Sequence, residues 1–307
     1  MQPDGIILVD KSEGETSSRV VQKIRRTMKI QKAGHAGTLD PFATGLLIIL
    51  LGQGTKLSSY LMSDEKAYEA TIRLGVETDT LDLTGRVIKT VPVPEIKPET
   101  VEEKTREFLG EIEQVPPAFS ALKYKGRRAY DWARKGVRID LEKRKVNILS
   151  LKITSVRLPE ILMEVVCSKG TYVRSLASDF AKSLGPGGHL TTLRRVFSGP
   201  FRVTDAVLSE DIGHRQSGEA LQNKIISLGD ALPQLMGVQV EEGMAQKIRN
   251  GFHLTWDELV PGFETPNPYS NGKPVKLFKG SELVALVKAP RFEGADSGRV
   301  KLMRVFN

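Results

Sequence analysis

The stretch Gly34-His35-Ala36-Gly37-Thr38-Leu39-Asp40-Pro41-Phe42-Ala43-Thr44-Gly45 runs directly into Leu46-Leu47-Ile48-Ile49-Leu50-Leu51. The second half is a short, uninterrupted apolar run and reads as a buried strand. The first half is a glycine-rich loop that carries one carboxylate to the mouth of that strand. Its glycines allow positive φ or the close approach of a ligand. Pro41 fixes its own φ and biases Asp40 toward an extended conformation, so the carboxylate is aimed. A lone Asp-Pro pair is an ordinary solvated turn. The surrounding glycines and the companions below turn the reading toward a nucleophilic or proton-abstracting carboxylate.

Upstream, Asp4 to Asp10 reads as a short strand. Ser17 offers an N-cap for a helix with Val20, Val21, Ile24 and Met28 on one face. The other face carries Lys23, Arg25, Arg26, Lys29 and Lys32, equally readable as phosphate contacts or as a wet helix surface. Downstream, Tyr68 to Leu74, Arg86 to Val91, Val146 to Val156 and Leu162 to Val166 read as strands, implying a central sheet. Thr100 and Glu103 have capping-box spacing for a helix ending near Gly110, and Tyr172 to Leu184 has helical periodicity. The absence of a strict βαβ rhythm favours an α+β fold with a mixed sheet over a doubly wound one.

Ser209 to Gly237 reads as a helical connection. Beyond it, a helix at Glu241 to Asn250 and short strands at Val275 to Phe278, Leu283 to Lys288 and Val300 to Val305 make a compact second domain. The expected division is 1–232 and 233–307.

The 307 residues, 40% of them hydrophobic, suffice for two cores. The single cysteine, Cys167, excludes an intramolecular disulfide, and the first apolar run, Ile6 to Val9, is too short for a secretory signal. Leu46 to Leu51 is too short to span a bilayer. A cytoplasmic protein with no membrane partner is the expectation. The net charge of +8, with a pI near 9.4, favours a polyanionic partner, although solvated lysine faces give the same total.

His35, His189, His214 and His253 lack ligand spacing, so no metal site is expected. The glycine clusters match neither the phosphate-binding lysine loop nor the dinucleotide fingerprint, and no serine sits in a nucleophile elbow. Chemistry must then run without a cofactor, on carboxylate, arginine and tyrosine. Gly170-Thr171-Tyr172-Val173-Arg174 lies between a strand and a helix and offers Arg174 as a partner for Asp40. Burial raises a carboxyl pKa and a guanidinium lowers it, and the pairing is expected to keep Asp40 an anion at neutral pH. Read alone, Arg174 is a surface helix residue. Tyr68 reads as a base-stacking ring or as a core tyrosine. His35 reads as filler beside an extruded nucleotide or as a phosphate donor. Lys123, Lys125, Arg127, Arg128, Arg134 and Lys135, interleaved with Tyr124, Tyr130 and Trp132, have the composition of an RNA contact, which a charged amphipathic helix explains in part.

Four segments, in order, resemble the TruB family of tRNA pseudouridine synthases. They are Gly34 to Pro41, Arg73-Leu74-Gly75-Val76-Glu77-Thr78-Asp79-Thr80-Leu81-Asp82, Pro117-Ala118-Phe119-Ser120-Ala121-Leu122-Lys123, and Cys167-Ser168-Lys169-Gly170-Thr171-Tyr172-Val173-Arg174. The resemblance covers residues 4 to 205. It implies a mainly antiparallel mixed sheet with flanking helices, and isomerisation of uridine 55 in the T loop of tRNA without cofactor or metal. It also implies that Asp40 is the catalytic carboxylate, that Tyr68 stacks on the target base, and that Arg174 pairs with Asp40. By the same likeness His35, Tyr172 and Leu193 line the substrate pocket and Lys11 supports it from a strand end. Ser12 stands where the family usually carries proline, with a small effect expected on loop stiffness. The tail from about Gly237 resembles the PUA-like RNA-binding domain of relatives. The T arm of tRNA is the expected partner and a monomer the expected state.

Cleaving C1′–N1, turning the base and joining C5 to C1′ needs an anion and no redox equivalent. Asp40 attacking C1′ or removing the 2′ proton remain open alternatives. Two rivals stand beside this reading. One is an RNA-binding or RNA-folding protein without catalysis. The other is a carboxylate glycosidase, for which the sequence shows no second glutamate in place.

Overall fold

The structure is a computed structural model that describes residues 2–137, 139–214, 217–252, 254–260, 274–289 and 298–307. His253 lies outside the described residues.

The apolar run forms the strand Thr44–Leu51, paired antiparallel with Gly5–Lys11 from Gly5 opposite Leu51 to Lys11 opposite Gly45. Side chains alternate between faces along both strands. Ile7, Val9, Leu47, Ile49 and Leu51 enter a core shared with Val20, Ile24, Leu176 and Phe180. Ile6, Leu8, Leu46, Ile48 and Leu50 enter a second core with Leu232, Leu283, Leu286 and Phe306. Helices therefore cover one face of the pair and C-terminal residues the other, which is why the run tolerates no polar residue. At roughly 2 kcal/mol per fully buried Leu or Ile, both layers contribute substantially.

Among the described residues the main sheet has ten strands. Its order is Val207–Leu208, Gly5–Lys11, Thr44–Leu51, Gly188–Ser198, Lys66–Leu74, Glu160–Cys167, Arg144–Arg157 and Gly110–Gln114, with Phe201–Arg202 and Ala33–His35 paired to its side. Only Val207–Leu208 with Gly5–Lys11, and Gly188–Ser198 with Thr44–Leu51, run parallel. The α+β, mainly antiparallel expectation holds. A separate four-stranded sheet, Gly237–Gln239, Pro274–Lys279, Glu282–Lys288 and Lys301–Val305, lies toward the C-terminus with the helix Glu242–Arg249.

Several local expectations are corrected. The first helix spans Ser17–Thr27, and its cap is Thr16, whose side chain accepts from the Arg19 N–H. Ser17 is freed for the loop described below. The Thr100–Glu103 capping box does not form. The helix Pro98–Glu107 starts on its own proline, with Lys97 as a cap that makes no side-chain bond. Gly110 opens an edge strand rather than closing that helix. Val87–Thr90 is exposed and pairs with Val76–Thr78 in a hairpin outside the main sheet. The connection 209–237 holds one described helix, Ser217–Gln222, and otherwise turns.

The central strand Gly188–Ser198 has no counterpart in the sequence reading. Its register slips between Leu190 and Thr192 and again between Arg195 and Phe197. Two bulges erase the period-2 pattern by which strands are read.

Candidate active site

Asp40 is held by its neighbours in the chain. The Ser17 hydroxyl accepts from the Leu39 N–H at 2.9 Å and donates to the Leu39 carbonyl at 3.1 Å. On the other side the Pro41 carbonyl accepts from Lys11 Nζ at 3.2 Å and from the Gly14 N–H at 2.8 Å. The Asp40 carbonyl accepts from the Ala43 N–H at 3.1 Å, closing a tight turn. The carboxylate is thus presented by pinned backbone, with its side chain 34% exposed.

Arg174 reaches it from the first turn of the helix Val173–Ser183. Its Nη2 donates to Asp40 Oδ1 at 3.3 Å and to the Phe119 carbonyl at 3.0 Å. Nη1 donates to the Thr80 carbonyl at 2.9 Å and to Asp82 Oδ2 at 3.1 Å. Nε lies 2.9 Å from Asp40 Oδ2 with its N–H off line, an ionic contact rather than an aligned bond. Arg174 is almost fully buried, so its fork is fixed between two carboxylates.

Asp82 is the member the sequence reading assigned no role. It is 3% exposed, and its Oδ1 accepts from the Thr80 hydroxyl at 2.7 Å, the Thr84 N–H at 2.9 Å and the Thr84 hydroxyl at 2.5 Å. Nothing local marks it in the run Thr78-Asp79-Thr80-Leu81-Asp82. Asp79, three residues away, makes a surface pair with Arg86. The signal lies in the fold, where the hairpin end meets Arg174.

Burial pushes the Asp40 carboxyl above the usual carboxylate range; Arg174 pulls it down, the Asp82 charge pushes it up, and Lys11 pulls it down. The sequence reading placed the guanidinium first. In the structure burial outweighs it, and the second carboxylate adds to burial.

Tyr68 lies in the strand Lys66–Leu74 at 8% exposure, within the helix-covered core. Its phenol is raised by burial and sensed by Asp40. Leu193 is buried on the same face of the neighbouring strand, in register with Ala70. Tyr172 precedes Arg174, half-buried, with Asp40 in its electrostatic surroundings. Gln114, unmarked in sequence, clamps its backbone: the Tyr172 N–H donates to Oε1 at 2.8 Å, and Nε2 donates to the Tyr172 carbonyl at 3.0 Å.

His35 is partly buried, lowered in pKa first by burial and then by Arg195, with Nδ1 unpartnered. Lys11 is fully buried, and its Nζ donates to the carbonyls of Ser12, Glu15 and Pro41. Ser12, where the resemblance leads one to expect proline, is tied down by hydrogen bonds on both its N–H and its hydroxyl. Its N–H donates to Ser209 Oγ at 2.9 Å and its hydroxyl to Glu210 Oε1 at 2.9 Å.

Of two surface hollows, of about 400 and 420 Å³, the first adjoins the Asp40 loop through Phe42 and Thr44 and includes Leu193 in its wall. The first is lined by Glu69, Thr71, Glu164 and Arg194 among others, and the second by the polar face of the first helix; neither wall includes Asp40. The site is marked instead by its buried charges. Of the basic residues on the first helix and the loop after it, Lys23 is engaged by Glu15 at 2.5 Å, while Arg25, Arg26 and Lys32 stay exposed. In the arm at 121–137, Lys125 lies over Tyr124, Arg127 over Trp132 and Arg134 over Tyr130, so those ring faces already carry cations. His189 is buried against the Val76 carbonyl at 2.7 Å. Among the described residues no cluster of potential metal ligands forms and no helix is long and apolar enough to cross a membrane.

Residues 25–173 match the TruB family pseudouridylate synthase N-terminal domain. The chain is 40% identical over 311 residues to the tRNA pseudouridine synthase B of Syntrophus aciditrophicus, covering 99% of each chain. It is 38% identical over 305 residues to that of Geobacter sulfurreducens, covering 99% of this chain and 100% of the relative. Among solved structures it superposes on a chain of a Cbf5-Nop10-Gar1 complex with TM-score 0.70 and 24% identity, over 98% of this chain and 84% of the other, a likeness of fold.

Proposed function

The chain belongs to the TruB family of pseudouridine synthases, isomerases by activity, and from that premise we propose that it converts uridine 55 in the T loop of tRNA to pseudouridine. The observation that carries the assignment of roles is the ion network Asp40–Arg174–Asp82, built on a loop pinned at both neighbours of Asp40. Asp40 acts at the ribose, either attacking C1′ to give a glycosyl ester or taking the 2′ proton to give a glycal. The C1′–N1 bond breaks, the base turns, C5 bonds to C1′, and the C5 proton leaves as N1 gains one. The sum is an isomerisation, so no cofactor is consumed.

The target nucleotide leaves the T-loop stack at a cost of a few kcal/mol. Tyr68 receives the base, Tyr172, Leu193 and His35 line its pocket, and Lys11 supports the loop. Arg174 keeps the carboxylate oriented while burial keeps it poorly solvated, which favours attack. The exposed cations Arg25, Arg26, Lys123, Arg127 and Arg128 supply phosphate contacts. Residues 233–307 are read as the PUA-like RNA-binding part. The relatives' names specify tRNA, and the U55 position rests on the family resemblance.

The test is tritium release from C5-labelled transcripts of a full tRNA, with uridine or cytidine at position 55. Release from the first alone is expected. Release unaffected by the cytidine refutes the position, and free uracil in place of an isomerised nucleotide supports a glycosidase.

A further inference from the structure

Arg195 is 1% exposed, as deeply covered as Arg174, yet its partners are carbonyls. Nε donates to the Leu46 carbonyl at 2.6 Å and Nη2 to the Gly37 carbonyl at 3.2 Å. It forms no ion pair among the described residues, and its close neighbours include Lys66. A buried guanidinium without a carboxylate is costly. A packing role alone is filled more cheaply by an apolar side chain.

Its place in the sheet gives a reason. Arg195 stands in register with Tyr68 on one side and with Gly45 on the other. Gly45 has φ +96°, and a Cβ there would lie 2.3 Å from the Arg195 carbonyl oxygen, so only glycine fits. Gly37, at φ +99°, lies against the guanidinium: a Cβ there would be 3.5 Å from Nη1. The two feet of the loop that presents Asp40 therefore rest on one residue, Gly45 on its backbone and Gly37 on its side chain. The same side chain stands on the strand opposite Tyr68, and its positive charge pulls against the rise that burial gives the phenol.

The geometry points to Arg195 as a positioning residue that sets the spacing between the Asp40 carboxylate and the Tyr68 ring, a role that rests on the isomerase reading above. The planar fork meets the carbonyls of Leu46 and Gly37 at once, with Tyr68 paired beside it on the next strand. A lysine in its place offers one point charge and cannot hold both directions. A loop displaced by about 1 Å loses about a hundredfold in rate while the RNA-binding surface is untouched.

The experiment compares Arg195→Lys and Arg195→Met with the wild-type chain. It measures single-turnover isomerisation at saturating tRNA transcript, transcript affinity, thermal midpoint and, for the methionine variant, a crystal structure. The expected result is turnover lower by at least about 30-fold in both, affinity within about threefold, and a midpoint in Arg195→Met no lower than wild type. In the crystal the Asp40 loop moves relative to Tyr68. Turnover within about threefold of wild type overturns the proposal, and so does a rate loss matched by loss of RNA affinity or of folded protein in both variants. If Arg195→Met does not fold, the lysine variant decides by the same split. An inactive wild-type chain refutes the isomerase reading instead, and an unmoved Asp40 loop in the variant crystal then refutes the positioning role independently.

Discussion

Arg174 and Arg195 are both buried arginines in contact with the Asp40 loop, and they are held in opposite ways. Arg174 lies between two carboxylates, with carbonyls of Thr80 and Phe119 filling the rest of its fork. Arg195 meets the carbonyls of Leu46 and Gly37 and, among the described residues, no anion. The first corner carries two acids against one guanidinium, and the second carries positive charge next to Lys66. On the proposed roles the same residue type does two jobs: at one corner it balances and orients reacting charge, and at the other it is a rigid bracket whose charge is a cost.

The largest effect is expected at the acid corner. Asp40→Asn keeps the shape of the side chain and removes its charge, so isomerisation falls at least about 10³-fold while tRNA binding survives. The same variant gains stability at neutral pH. A carboxyl raised above its unfolded value contributes stability below the unfolded pKa and loses it as pH rises through the folded one, so at pH 7 the ionised Asp40 is a burden that asparagine relieves. Activity of the wild type should likewise fall, on acidification, at a pH above the ordinary carboxylate range. Residual turnover near wild type in Asp40→Asn, or a melting temperature lowered at pH 7, breaks this account.

Arginine removal sharpens the contrast. Arg174→Met leaves Asp82 buried beside an unanswered Asp40, and a loss of about 3–5 kcal/mol in urea unfolding is expected. Arg195→Met leaves no orphaned anion and should be no less stable than wild type. Arg174→Lys keeps the charge but not the fork, and turnover is expected to drop about 30-fold. Equal stability losses at the two arginines would mean that the second corner hides an anion.

These two corners also mark how far the sequence could be read. Asp40 and the strand behind it were legible because glycines, a proline and six apolar residues act locally, whereas Arg174, read alone as a surface helix residue, gained its place through the family resemblance and its position at a strand-to-helix turn. Asp82 and Arg195 were not. Asp82 is set apart from the half-buried Asp79 by its long-range contact with Arg174. Arg195 follows Arg194 in a strand whose two bulges break the alternation, and a consecutive pair of arginines reads as solvent-facing charge. In the structure Arg194 does face Asp10 at 2.6 Å on the outer side, while its neighbour turns inward. Burial on both faces of Thr44–Leu51 could be inferred from its composition. The identity of the second cover could not, because Leu283, Leu286 and Phe306 come from the far end of the chain.

Lys11 tests the distinction most finely, because it is carbonyl-held like Arg195 yet able to lose its proton. Burial lowers its pKa to about 8, against partial support from Glu15 and Asp40. In the unfolded chain the group titrates near 10.5, so between about pH 8 and 10.5 the folded state binds fewer protons and stability rises with pH. The gain from this group is at most about 3 kcal/mol. Lys66 and Lys276 are lowered by burial as well, so the wild-type curve alone does not isolate Lys11. Subtracting the urea stability of Lys11→Met at each pH cancels them. The wild type should gain on the variant steadily across that window and be flat below it. A difference that stays constant from pH 7 to 10.5 would mean that Lys11 keeps its proton, held by its three carbonyls and the nearby acids strongly enough to behave as a second fixed cation beside Arg195.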